Sequence, residues 1–329
     1  MKFPTHGVTR TLCLLVMATL FPLAASAQAD WPQKPVKVVV PYAPGGSADT
    51  LGRLIARHLS EAFKQPFIIE NRGGAGGIIG SQLVSKAPPD GYTLVVSGIG
   101  SHVIAPVESP SAFDPIKDFS HIALLGGPPL VMVVNAELPV KDVKGFIAYV
   151  NANPKGVSWG SPGQGTHGHL IGEMFRTASK THLVHISYKG ASPAVQDLLG
   201  GQIPAAFMTL SSANAHIHSG KLRALALSSR QRLAAYPDVP TFIELGYPAL
   251  TGTTWFSLSG PPGMPPELVD RLNAEVRRGL TTPAAKALFA LESMETIDYD
   301  APAFTRYFKS EIEHWTGPAK ALSLDKSTK

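Results

Sequence analysis

The sequence predicts a two-lobed α/β protein, and three observations carry the prediction. Short Val/Ile-rich runs alternate with stretches of helical apolar spacing, the order in which parallel sheets covered by helices are built. Two glycine-rich loops, VVVPYAPGGSADT at 38–50 and VSWGSPGQGTHGHL at 157–170, each join an apolar run to a helical pattern, one in each half of the chain. The chain has 329 residues, beyond the ~250 to 300 at which a single core stops growing.

Residues 1–27 stand apart. Lys2 and Arg10 precede the apolar run Leu12 to Leu23, and Ala25-Ser26-Ala27 has the small-residue pattern of a signal-peptidase site. The mature chain is therefore expected to begin at Gln28, after export. The apolar run is shorter than the ~20 residues of a membrane span, and Pro22 interrupts it. The only cysteine, Cys13, lies in this leader, which leaves the mature chain without disulfides, cysteine nucleophiles or thiolate metal sites. Without Lys2 and Arg10 the chain has 27 basic and 24 acidic residues, a net charge of +3. That mild bias, with no basic stripe interleaved with aromatics, excludes nucleic acid as a partner.

In the first lobe, strands are expected at Val36 to Val40, Phe67 to Glu70 and Thr93 to Val96, with helices at Leu51 to Phe63 and Ile78 to Lys86. Pro88-Pro89-Asp90-Gly91 is a turn between them. A second alternation begins near residue 130. It comprises a strand at Val131 to Val134, a helix at Val143 to Tyr149, a strand at Val157 to Trp159, a helix at Thr166 to Ala178 and a strand at Leu183 to Ile186. Ser192-Pro193 then opens a helix as N-cap and N1, and strands follow at Ala205 to Phe207 and Leu222 to Leu227. A Pro/Gly-rich stretch, 236–266, encloses the apolar Thr254 to Leu258, and three helical patterns complete the chain. Helices without strands seldom form a lobe alone, so they are assigned to the first. The lobes are accordingly 28–128 plus 250–329 and 129–249, each a mostly parallel sheet flanked by helices, joined by a two-stranded hinge able to close over a ligand.

The glycine loops specify binding chemistry. Gly45 and Gly46, with Ser47 or Asp49 as cap, let a helix start aim N–H groups at a small anion; Gly163, Gly165 and Thr166 repeat the arrangement. Gly73, Gly74, Gly76 and Gly77 allow another close backbone approach, and Ser97 and Gly98, like Thr209, Ser211 and Ser212, end strands at the edge where open α/β sheets place ligands. Catalytic and cofactor motifs fail. Gly160-Ser161-Pro162-Gly163 misses the register of a nucleophile elbow, and the Gly74 region misses the dinucleotide fingerprint by one residue. The pairs His167/His169, His182/His185 and His216/His218 lack a neighbouring acid, so no metal or cofactor is expected.

At this point the motifs resemble a family. WPQKPVKVVVPYAPGGSADTLGRLIA, ENRGGAGGIIGSQLVSKAPPDGYTL, DPIKDFSHIALL, GSPGQGTHGHLIGEMF, HISYKGASPAVQDLLGGQI, GKLRALALSS and PDVPTFIELG followed by WFSLSGPPGMP are similar, in order and spacing, to the Bug (TctC-like) periplasmic substrate-binding proteins of tripartite tricarboxylate transporters. The resemblance implies a Venus-flytrap fold, a periplasmic location, a monomer, membrane transporter subunits as partners and a carboxylate held between the lobes. Carried over by residue, it implies ligand-binding roles for Tyr42, Gly45, Gly46, Ser47 and Asp49, for Ser161, Gly163, Gly165, Thr166 and His169, and for Tyr188 and Asp197 of the YKG block. Ser97 and Thr209 join them as strand-end hydroxyls. Many members have a polar or acidic pair where this chain has Met208 and Thr209, which implies a distal pocket near Phe207 and Trp255 suited to an apolar, aromatic or second carboxylate end rather than an ammonium. Two alternatives remain open: a hydrolase of carboxylate esters using Ser161 or Ser47 with His169, and a carboxylate sensor for a signalling partner.

Overall fold

The computed structural model describes residues 31–110 and 112–327; the expected leader lies outside them. From Lys34 onward the chain runs β1 (Val36–Val40), α1 (Ser47–Phe63), β2 (Phe67–Asn71), α2 (Ile78–Ser85), β3 (Thr93–Gly98), a wide helical turn (Ile99–Ile104), α3 (Ala105–Glu108), β4 (Ser120–Gly126) and β5 (Leu130–Asn135). It continues through α4 (Val143–Asn151), β6 (Val157–Ser161), α5 (His167–Ser179), β7 (Leu183–Ser187), α6 (Ala191–Leu199), β8 (Ala205–Thr209), α7 (Leu210–His218) and β9 (Leu222–Leu227). The last elements are β10 (Phe256–Gly260), α8 (Pro266–Leu280), α9 (Pro283–Leu291) and α10 (Ala301–Ser327).

Two five-stranded sheets result, ordered β2-β1-β3-β10-β4 and β7-β6-β8-β5-β9. They follow one plan. Three parallel strands lie on one side, and the strand that has just crossed from the other sheet, β10 or β5, inserts antiparallel beside the third. The sheets are thus mixed, because a chain that leaves one sheet and enters the next directly arrives running the other way. The return segment adds an isolated bridge between Pro129 and Thr253 where the two crossings pass side by side.

Strand alternation sorts the side chains of the second sheet. On β5, Leu130, Met132 and Val134 join Trp159, Phe146 and Phe175 in one core, while Val131 and Val133 join Leu198, Leu210 and Ala213 in the other. On β8, Phe207 belongs to the first core and Met208 to the second. Met208 therefore points into packing, and so does Phe207; neither lines a distal pocket. Trp255 is also buried, donating from its indole to Glu311 at 2.6 Å. Helix α8 covers β4 and α1, and α10 packs on β4, on the wide turn after β3 and on α5.

One packing detail has a pH signature. His121 on β4 stacks on Phe308 at 3.9 Å, close to the wholly buried His102. Burial pushes the His121 pKa down from 6.5 to about 4, against a raising effect of the Pro115 carbonyl. As the pH falls from 6.5 to about 4, the unfolded chain takes up a proton that the folded one refuses, so stability drops by up to about 3 kcal/mol, with none of this loss above 6.5. His121→Phe keeps the stack and removes the proton site. Urea titrations at pH 5 and pH 7.5 should show a smaller acid penalty in the variant than in the wild type; equal penalties would place the acid sensitivity elsewhere.

Candidate functional site

Four helices start at one place. The residues Gly46, Ser47 and Ala48 at the head of α1, Thr166, His167 and Gly168 at the head of α5, Ala191 on α6, and Thr209 and Ser212 on α7 line a common cavity of about 50 Å³ between the sheets. Tyr42, Leu130, Thr254 and Phe256 help to close it. Each helix start has positive partial charge and orphan N–H groups. Only α5 has a side-chain cap, Thr166 Oγ1 accepting from His169 N–H at 3.3 Å; α1, α6 and α7 have none.

Among the described residues, no Asp, Glu, Lys or Arg lines this cavity. His167 is held neutral, since burial pushes its pKa down to about 3. Its Nδ1 meets Thr254 Oγ1 at 2.9 Å, and its ring sits edge-on to Trp315. Burial pushes the Tyr42 hydroxyl up to about 12 against hydrogen bonding with Ser101, and that hydroxyl donates to the Gly76 carbonyl at 3.2 Å. Any charge attracted here is drawn by backbone dipoles and hydroxyls alone.

The cleft is shut by direct contact. Ser47 Oγ donates to Thr209 Oγ1 at 2.7 Å and also meets Ser211, and Thr209 in turn pairs with Ser212 at 2.8 Å. Ala43 N–H donates to the Lys189 carbonyl at 3.0 Å, and Ser192 Oγ donates to the Pro44 carbonyl at 2.6 Å. The glycine loops permit this approach. A Cβ on Gly76, whose φ is +64°, would lie 2.2 Å from the Gln164 carbonyl, and one on Gly190 would lie 2.8 Å from Ala43 Cβ.

Of the residues singled out from sequence, the structure brings Tyr42, Gly46, Ser47, Thr166 and Thr209 onto the cavity wall. Others stand behind it. Burial opposes ionisation of Asp49, but bonds from Arg53, Asn71 and the Gly45 N–H outweigh burial and hold its carboxyl below the usual range, so Asp49 braces the first loop. Ser97 is buried among the Ser257 and Ser259 hydroxyls at 2.6 and 2.7 Å. Ser161 Oγ meets His185 Nε2 at 2.7 Å, and His169 Nδ1 accepts from the Gly165 N–H at 3.2 Å; both shape the second loop from inside. Gly163 carries φ +147° and accepts from Thr166 Oγ1 at 2.6 Å. Tyr188 donates to Asp197 at 2.7 Å, and with Gln164 and Lys189 it lines a separate outer pocket at the rim.

Sequence reasoning did not assign Leu130, His167, Ala191, Thr254 or Phe256 to the wall. Ala191 and Leu130 carry no chemical signal at all. Thr254 and Phe256 were readable only as an apolar stretch in the return crossing, although the alternation of Thr254 and Phe256 toward one side is visible once that stretch is known to be extended.

Two α/β lobes joined by paired crossings, with helix starts converging in the cleft between them, define a two-lobed binding protein. Comparison with known proteins places it further. Residues 51–324 match the model of the tripartite tricarboxylate transporter family receptor, and the chain belongs to that family. It is 33% identical to protein BugT of Bordetella pertussis over 94% of this chain and 97% of the relative. Among solved structures, MatC of Rhodopseudomonas palustris with bound malate is similar at TM-score 0.83 and 31% identity, covering 88% of this chain and 100% of the other. An R. palustris protein with adipate is similar at TM-score 0.84 and 32% identity, covering 88% and 98%. Among the described residues no helix is long and apolar enough to cross a membrane.

The glycine contacts make closure testable without a ligand. Gly76→Ala adds roughly 1 to 2 kcal/mol of left-handed backbone strain and sets a methyl against the Gln164 carbonyl across the cleft. The variant should remain folded by circular dichroism while its radius of gyration in X-ray scattering rises. An unchanged radius would mean that these loops do not meet in solution.

Proposed function

We propose that the chain is an exported solute receptor that captures one small carboxylate between lobes spanning 28–128 plus 250–329 and 129–249, and delivers it to membrane subunits of a tripartite transporter. The observation that carries this reading is the convergence of helix N-termini, three of them without side-chain caps, in a cavity with no charged side chain. A carboxylate fits both needs, as an acceptor for the uncapped N–H groups and as the charge that the dipoles favour. Malate and adipate in the two similar structures agree with that chemistry. The carboxylate itself stays chemically unchanged, since Ser47 and Thr209 offer hydroxyls to hold it and no base beside them to activate one. The leader 1–27 is removed on export to the periplasm, and one chain with one site is sufficient for this task.

Thermal-shift screening of the mature chain against mono-, di- and tricarboxylates, aromatic acids and acidic amino acids tests the reading, because a ligand bound only to the native state raises its melting temperature. Gly46→Val is the decisive variant. A Cβ at Gly46 has only Ala191 at 3.7 Å and Ser212 at 3.9 Å as neighbours, so the first side-chain carbon is accommodated, while the valine methyl groups take up space in the cavity that the carboxylate needs. Loss of one to two charge-assisted hydrogen bonds predicts about a tenfold to thousandfold weaker affinity; wild-type affinity would remove α1 from the site.

The pH profile gives a second check. With His167 titrating near 3 and Tyr42 near 12, no wall residue changes charge between pH 5.5 and 8.5. Affinity for a fully ionised carboxylate should be flat across that window in calorimetry, and a step centred near 6.5 would contradict the neutral assignment of His167.

A further inference from the structure

The paired crossings separate two cavities. Thr254 and Leu130 face the cleft, while their neighbours Thr253 and Pro129 face a groove of about 600 Å³ behind it. This is strand alternation: successive side chains point to opposite sides, and Thr253 and Pro129, paired in an antiparallel bridge, share one. The groove belongs to both lobes, with walls from the loop after β9, from the crossings and from α10. Its volume lies in the range of ~300 to 1,000 Å³ typical of small-molecule sites.

Its chemistry is also distinct from that of the cleft. Arg232 is held by Glu244 at 2.9 and 3.1 Å, and Glu311 accepts from the Trp255 and Trp315 indoles at 2.6 and 3.2 Å. Arg230 is exposed on the groove wall, and among the described residues it makes no ion pair. The Thr251 hydroxyl is buried in the same wall without a hydrogen-bond partner. Tyr307, Ile297 and Leu233 supply apolar surface with the buried Trp315 behind them, and two carboxylates share the wall, Glu295 exposed at the edge and Glu311 held by the indoles, so an anion must seat at the Arg230 side.

We propose that this rear groove is a second binding site, for a small organic anion with a flat apolar body, and that its occupant favours the shut cleft. The carboxylate or sulfonate of such a ligand pairs with Arg230, and its body lies against Tyr307, Ile297 and Leu233. The coupling is geometric. Rotation about a ribbon that widens the cavity on one face narrows the cavity on the other, so opening the cleft squeezes the groove. A ligand that needs the groove at full width binds the shut form better, and by reciprocity it strengthens binding in the cleft.

Naphthalene-2-sulfonate is a suitable probe, followed by tryptophan fluorescence, with lobe separation read between spin labels on Arg57→Cys and Lys144→Cys in the mature chain. Saturable binding at one site, weakened at least tenfold by Arg230→Glu, is expected, together with a shift to shorter separations when the probe is added. Equal binding to the wild type and Arg230→Glu would overturn the site, because a probe lodged in the cleft or scattered on the surface does not depend on Arg230. Ser229→Trp, which fills the groove from its own wall, should shorten the separation with no probe present; an unchanged or longer separation would overturn the coupling. Carboxylate binding measured on Arg230→Glu keeps the two sites apart, since the cleft should retain wild-type affinity there even if the rear site is lost.

Discussion

The proposed anion site, built without a cation, imposes a strict geometry. A lysine or arginine can reach a ligand across several ångströms, but a peptide N–H cannot, so the backbone itself must come to the ligand. That requirement accounts for Gly46 at the head of α1, for Gly190 ahead of α6, and for three helix starts without side-chain caps. His167, the imidazole on the wall, adds no charge, because burial holds it neutral. A fixed positive charge would bind any passing anion, whereas dipoles aimed at one point reward a ligand only when it sits there.

The same economy of side chains lets the lobes meet backbone to backbone. Where Gly76 faces Gln164 and Gly190 faces Ala43, there is nothing to displace before contact. The hydroxyls of Ser47, Thr209, Ser211 and Ser212 then satisfy one another across the cleft. These are short groups with little rotamer entropy to lose, so the shut form is cheap to reach. Because both crossings feed strands directly into the sheets as β5 and β10, only the few residues around Pro129 and Thr253 lie between one sheet and the other.

Much of this was legible in the sequence because strand and helix periods were strong wherever one face is buried. Val36–Val40 and Leu222–Leu227 were read at their observed bounds. β4 was not assigned, since Ser120–Gly126 is covered on both faces and follows an irregular stretch, leaving no alternation to read. The antiparallel insertion of β10 and β5 was illegible for another reason: strand direction depends on where the chain last was, which no local pattern records. In the candidate site, glycine and hydroxyl motifs marked the loops that the structure brings together, but not which members face inward. Ser161, His169 and Asp49 look like ligand groups by type, and each is occupied holding a loop in shape. Met208 shows the limit most plainly, since its side of β8 is decided by a one-residue phase that chemical type cannot reveal.

The three serines that bind β10 to β3 have a bearing on how the chain acquires its fold. Ser97 meets Ser257 and Ser259 across 160 and 162 residues of sequence, and β10 lies between β3 and β4, so the first sheet has a gap in its middle until that late strand arrives. The second sheet needs nothing outside Leu130 to Leu227. Closing the longer loop costs more chain entropy before any contact rewards it. The lobe encoded in the interior of the chain is thus the one able to mature first, and the lobe that begins the chain is finished from its end.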